Sequence, residues 1–152
     1  MDDLRELYQQ LILDHNQSPK NYRIMLEPDL QAEGHNPLCG DKVEIYLKLD
    51  NKDNIVDISF YGSGCAISKA SSSIMTTILK GKKKSEAKEI FSDFRNLIMK
   101  GKSNRKLPEK LNMLSGVHKF PSRVKCALLS WHAMIQGLDN SSEIVNTEHE
   151  KW

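Results

Sequence analysis

A chain of 152 residues is the size of a single domain and can bury a core without disulfide staples. Its 22 basic and 20 acidic side chains leave a net charge of +2, too small to argue for nucleic acid or an anionic membrane as a partner. No stretch approaches the roughly 18 apolar residues of a membrane span. Met1-Asp2-Asp3-Leu4-Arg5 lacks the basic-then-apolar pattern of a secretion signal, so a reducing, cytoplasmic compartment is expected.

Asp3 and Glu6 are spaced as a capping pair. Leu4, Leu7, Tyr8, Leu11 and Ile12 then recur at helical intervals, which predicts an amphipathic helix ending near Asp14-His15, before Pro19. Residues 22–38 read as irregular chain with one short strand around Leu30 to Glu33. Val43, Ile45, Leu47 and Leu49 alternate with Lys42, Glu44, Tyr46 and Lys48, the pattern of a strand with one apolar face. Asp50 to Asn54 is turn chemistry, and Val56, Ile58 and Phe60 resume the alternation, so the segment is a hairpin that Gly62-Ser63-Gly64 terminates.

After Cys65 the period becomes helical through Ile67, Ala70, Ser71, Ile74, Met75, Ile78 and Leu79, up to Gly81. A second helix is expected from Ser85, as N-cap, through Ile90, Phe91, Phe94, Leu97 and Ile98 to just before Gly101. Leu107-Pro108 opens a short helical turn closed by Gly116. The last helix starts at Pro121-Ser122, carries Val124, Ala127, Leu128, Trp131 and Ile135, and reaches about Gly137. Lys82-Lys83-Lys84 reads as a solvated loop. Residues 139–152 are polar with few anchors and are expected to form a flexible tail, leaving residues 1–138 as the domain. This order gives an α+β fold, a small antiparallel sheet of about three strands with helices packed on one face.

Chemistry concentrates on three cysteines, Cys39, Cys65 and Cys126, separated by 26 and 61 residues. With no Cys-x-x-Cys among them, neither a zinc finger nor a thioredoxin motif is present. Each lies at an element boundary: Cys39 ahead of the first clear strand, Cys65 between a glycine-rich break and a helix, Cys126 in the first turns of the last helix. Gly40, Gly62 and Gly64 permit the unusual dihedrals and close approaches of a site built from loops, and a helix N-terminus stabilises a thiolate. Asp41, two residues from Cys39, lies on the same side if the chain there is extended. Three thiolates and a carboxylate suit tetrahedral zinc; they also suit an iron–sulfur cluster, more labile than one on four cysteines. His35, His118 and His132 compete as ligands but show no ligand-pair spacing, and His15 and His149 are less organised still. A hydrolytic Cys39–His118 pair is a further alternative, although nothing in the sequence specifies an oxyanion hole.

Asn36-Pro37-Leu38-Cys39-Gly40-Asp41, then Gly62-Ser63-Gly64-Cys65-Ala66-Ile67-Ser68, then Lys125-Cys126 together resemble the U-type iron–sulfur assembly proteins, the IscU/SufU/NifU N-terminal family. Asp14-His15 and Pro19-Lys20-Asn21 resemble that family's N-terminal segment, and the likeness spans residues 3 to 137. It is greatest to the SufU branch. The IscU branch carries a histidine where this chain has Lys125, and a Leu-Pro-Pro-Val-Lys motif just upstream of it, whereas this chain reads Phe120-Pro121-Ser122-Arg123-Val124-Lys125. The resemblance implies a SufE/NifU-like fold with an insertion within Lys82 to Gly116. It implies Cys39, Asp41, Cys65 and Cys126 as ligands of zinc or of a transient [2Fe–2S] cluster, with Asp41 tuning lability. It further implies Cys39 as acceptor of persulfide sulfur from a pyridoxal-phosphate-dependent cysteine desulfurase of the SufS type, hence a sulfurtransferase-like accessory protein. The alternative function is a scaffold that passes a cluster to downstream iron–sulfur assembly or client proteins.

Overall fold

Alternating apolar residues build the sheet at the centre of the computed structural model, which describes residues 2–103, 105–140 and 143–148, with the backbone alone at 2–5 and 7. Asp3, half of the expected capping pair, and His149 lie outside the described side chains. The elements run α1 (Asp2–Gln17), β1 (Leu30–Asn36), β2 (Asp41–Leu49), β3 (Ile55–Ser63), α2 (Ala66–Leu79), α3 (Lys84–Lys100), α4 (Glu109–Met113), a 3-10 turn (Leu114–Lys119), α5 (Pro121–Leu138) and β4 (Val145–Asn146). The sheet order is β3-β2-β1-β4, antiparallel except for the parallel β1–β4 edge.

Val43, Ile45 and Leu47 of β2 and Ile58 and Phe60 of β3 are buried. Their register (Ile45 opposite Phe60, Leu47 opposite Ile58) sets them on one face. Against that face pack α2 and α5; α1 lies on α2, and α3 on α5. Trp131, fully buried on α5, stands 4.8 Å from the ring of Phe94 on α3. Two helical layers over one sheet face thus make a single core, the α+β arrangement expected.

Three elements depart from expectation. β1 extends to Asn36 because its inward residues are small: a Cβ on Gly34 would meet Leu129 Cδ1 at 2.9 Å, so α5 lies too close for large side chains. Such a strand shows no apolar alternation. α3 begins one residue before Ser85, with Lys83 as N-cap and no side-chain cap bond; the Lys84 N–H donates to Asp53 O instead, at 2.9 Å. The chain after Leu138, expected to fray, is anchored at 145–147. Gly34 pairs with Val145 and His35 with Asn146, and Val145 and Thr147 are buried. The sheet therefore has a fourth, short strand.

Ile45→Ala should lower the free energy of unfolding by about 2–5 kcal/mol, the range for truncating a fully buried aliphatic side chain. Val56→Ala, on a half-exposed side chain, should stay within about 0.5 kcal/mol. Urea unfolding checks both, and equal effects would refute this placement of the core.

Candidate functional site

Sheet and helices bring three of the four expected ligands, Cys39, Asp41 and Cys126, into one group and set the fourth, Cys65, beside it. Cys39 sits in the β1–β2 turn, Asp41 opens β2, Cys65 is the N-cap of α2, and Cys126 lies in the second turn of α5. One ligand atom from each of Cys39, Asp41 and Cys126 falls within 4.8 Å of the others. Cys65 joins this group by a hydrogen bond between its thiol and that of Cys126. Its backbone N–H also donates to Asp41 Oδ1 at 2.8 Å.

Cys39 and Asp41 converge through a turn, not through extended chain as the spacing suggested. The Gly40 N–H donates to Pro37 O at 3.3 Å, and Gly40 takes φ +71°, where a side chain is strained. Gly64 is required for another reason: a Cβ there would come within 2.7 Å of Asp41 Oδ1. The two glycine-containing breaks thus serve different ends, one turning Cys39 back and the other making room for the carboxylate.

Hydrogen bonds decide which thiol ionises first. The Cys126 thiol donates to Cys65, and with the Ser68 and Ile67 amides it outweighs burial and the charge of Asp41, pulling the Cys65 pKa down to about 6. The Ser68 N–H reaches Cys65 Sγ at 3.4 Å, the N-cap bond of α2. Cys126 is pushed up, by the Cys65 thiolate foremost, then by its own burial. One proton is therefore held between the two sulfurs. Arg123 adds positive charge at the rim, its Nη1 donating to Cys39 Sγ at 3.6 Å. Hydrogen bonding to Cys126 and the charges of Cys65 and Cys39 raise the Arg123 pKa in turn.

The four described histidines are employed elsewhere. The His15 ring bonds Ser73 Oγ at 2.7 Å, His35 meets Glu33 at 2.9 Å, and His118 Nδ1 donates to Ile98 O at 3.0 Å. His132 packs edge-on to Phe91. A Cys39–His118 pair is not what this geometry builds.

Sequence reading passed over three residues that complete the site. Asn36 Nδ2 donates to Asp41 Oδ2 at 3.2 Å and to Cys126 Sγ at 3.3 Å. Thr147 donates to Asn36 Oδ1 at 3.0 Å, and Arg123 is the cation described above. Asn36 lay within the quoted motif but in a stretch expected to be irregular chain; Thr147 gave no signal in a polar segment. Lys125, at the place of the IscU-branch histidine, turns from the thiols and donates to Thr147 O at 3.1 Å.

The donor set fits a metal ion. Tetrahedral zinc with arms of about 2.3 Å places its sulfurs about 3.8 Å apart. Cys39, Asp41 and Cys126, whose ligand atoms lie within 4.8 Å of one another, need contract little, and Cys65, outside that group, would have to close on them. Four anionic ligands on a divalent ion leave a net charge of about −2, which Arg123 is placed to offset.

Residues 7–138 match the model of the NifU-like N-terminal domain. The chain is 40% identical over 141 residues to the zinc-dependent sulfurtransferase SufU of Bacillus subtilis, covering 90% of this chain and 92% of that protein. It is 36% identical over 151 residues to the iron–sulfur cluster assembly scaffold protein IscU of Streptococcus pyogenes, covering 98% and 91%. Among solved structures it superposes with TM-score 0.79 on an iron–sulfur cluster assembly scaffold described for the SUF system of Fervidobacterium islandicum AW-1. Identity there is 37%, over 85% of this chain and 94% of that one. Among the described residues, no helix is long and apolar enough to cross a membrane.

In metal-free protein, alkylation of Cys65 by iodoacetamide should follow its thiolate, with a midpoint near pH 6. Cys126→Ala removes the donor that lowers this pKa, so the midpoint should rise toward the ordinary thiol range of about 8.5. Peptide mass spectrometry of the alkylated protein reads both. A midpoint unmoved by Cys126→Ala would mean that the two sulfurs do not share a proton.

Proposed function

The chain belongs to the NifU-like N-terminal domain family, and we propose that within it this protein is a zinc-dependent acceptor and carrier of sulfur for iron–sulfur cluster assembly. The observation that carries the reading is the convergence of Cys39, Asp41 and Cys126, with Cys65 bonded to both Asp41 and Cys126. The name of the 40% identical Bacillus relative supports zinc as the metal. Bound at these four ligands, zinc would hold the thiols in their deprotonated form.

Sulfur transfer assigns separate work to the residues. Cys126 is buried, whereas Cys39 is partly exposed in its turn beside Arg123. The Cys39 thiolate attacks the terminal sulfur of a cysteine persulfide on the donor protein. A new sulfur–sulfur bond forms at Cys39 as the donor's breaks, and the donor cysteine leaves as a thiolate, without net oxidation. The donor is a pyridoxal-phosphate-dependent cysteine desulfurase of the SufS type, and the recipients are downstream assembly or client proteins. Arg123 balances charge while two anionic sulfurs approach.

A second reading, a scaffold holding a [2Fe–2S] cluster on the same ligands, is favoured by the Streptococcus relative, named as a scaffold. Metal content separates the two. One zinc per colourless chain is expected; a brown protein with iron and acid-labile sulfide would establish the scaffold. Incubated with such a desulfurase and cysteine, the parent should gain sulfane sulfur on Cys39 and raise desulfurase turnover. Cys39→Ala should still dock but abolish both effects. Persulfide arising first on Cys126, or unchanged stimulation by the variant, would overturn the assignment.

A further inference from the structure

The carboxylate and the most deeply buried thiol of the site touch one neutral side chain, Asn36. Its amide N–H groups point to Asp41 Oδ2 and Cys126 Sγ, at 3.2 and 3.3 Å. At 1% exposure, Asn36 has no bulk water to replace a lost partner. An asparagine amide has two orientations, and its neighbours choose between them. Here the selecting group is Thr147, whose hydroxyl donates to Asn36 Oδ1 at 3.0 Å. With the oxygen so held, only the amino group can face the site. The reversed amide would turn its carbonyl oxygen against the Asp41 carboxylate and the Cys126 sulfur, leaving acceptor facing acceptor.

Thr147 is held with equal care. Its backbone N–H donates to His35 O at 3.1 Å, continuing the β1–β4 pairing, and its own carbonyl accepts from Lys125 Nζ at 3.1 Å. Lys125 immediately precedes Cys126, so the residue that pins Thr147 lies beside the ligand served by the Asn36 amide. Thr147 lies beyond residues 7–138, the part of the chain that matches the family model.

We infer that Asn36 is a positioning residue for the metal ligands Asp41 and Cys126, and that Thr147, supplied by the C-terminal segment, sets its amide. The C-terminal segment is thereby part of the metal site. This inference rests on the metal-binding reading above. Neither residue touches the metal: Asn36 donates to two ligands, aiming the carboxylate oxygen and lowering the charge on the sulfur. Partners of this kind change metal affinity by about 10–100-fold when removed.

The test measures affinity and ligand geometry in the full-length protein. Zinc affinity is obtained by competition with a chromophoric chelator, and geometry from the visible bands of the cobalt(II)-substituted protein, which report a tetrahedral thiolate site. Thr147→Val keeps the shape and removes the hydroxyl; Thr147→Ser keeps the hydroxyl; Asn36→Ala removes the amide. We expect Thr147→Val and Asn36→Ala to weaken zinc binding by about 10–100-fold and to shift the cobalt bands, with Thr147→Ser close to the parent. Equal weakening by the Val and Ser variants would mean that Thr147 acts through packing alone, and would overturn the inference. So would parent-like affinity and spectra in Thr147→Val, whatever happens to the folding of Asn36→Ala. A parent protein that binds neither zinc nor cobalt would instead bring down the metal-binding reading itself, and this inference with it.

Discussion

The Ser71 hydroxyl of α2 donates to the Ala127 carbonyl of α5 at 2.6 Å, and on the registry it fixes between those two helices the whole site depends. Trp131 Nε1 donates back to the same hydroxyl at 3.1 Å, so the buried oxygen is used both as donor and as acceptor. Ser71 lies in the second turn after Cys65, and Ala127 directly follows Cys126. A slip of α2 along α5 by one turn, about 5.4 Å, would break both bonds and carry the two sulfurs out of reach of each other. Inside a close-packed core such a slip has no intermediate stops, so the thiols meet at one separation only.

The sheet imposes the matching constraint on Asp41. Asp41 opens β2 and Gly64 follows β3, and the β2–β3 register sets Lys42 opposite Ser63 and Val43 opposite Gly62. A shift of one residue would turn Val43, Ile45 and Leu47 out of the core. The same shift would swing Asp41 away from the Cys65 amide, so apolar burial and carboxylate placement are satisfied together or not at all. This is why the site can be well defined: each ligand lies in, or within two residues of, an element whose position the core dictates.

How much of this was legible in the sequence depended on residue size and on chain distance. β2, β3, α2 and α5 announced themselves because their inward residues are large and periodic. β1 was cut short in the reading because Ala32 and Gly34, its inward residues, are small; on α5, Gly137 lies against Ala32 and Leu129 against Gly34. Cys39, Asp41, Cys65 and Cys126 could be read as one group from their boundary positions and the motifs around them. The turn at Gly40 could not, since dihedral sign is invisible in a Cys-Gly-Asp string. Least legible was Thr147, because its role lies in a hydrogen bond to a residue 111 positions away, within a segment whose composition predicts no structure. The serines of α2 were similarly opaque: Ser71 counted only as one position of the helical period and Ser73 gave no signal, yet they bond Trp131 from α5 and His15 and Lys20 from the N-terminal region.

The three thiols differ in what must move if they are to react. Cys126 is the least accessible, because it is fully buried beside Asn36 and the thiol of Cys65. Cys65 is partly exposed, but as N-cap its sulfur already serves the first turn of α2 and accepts from Cys126. Moving it uncaps a helix, a cost of about 0.5–2 kcal/mol before any chemistry begins. Cys39 has contacts at 3.6 Å to Arg123 and 3.9 Å to Ser122 O, both longer than ordinary hydrogen bonds between nitrogen or oxygen atoms, and one further bond to the thiol of Cys126. Its turn can swing about Gly40 while β1 and β2 keep their pairing. A sulfur that must align with the sulfur–sulfur bond of another protein needs this freedom, while the ligands left behind need the opposite. Both demands are met because the core fixes Asp41, Cys65 and Cys126 and leaves Cys39 on the turn.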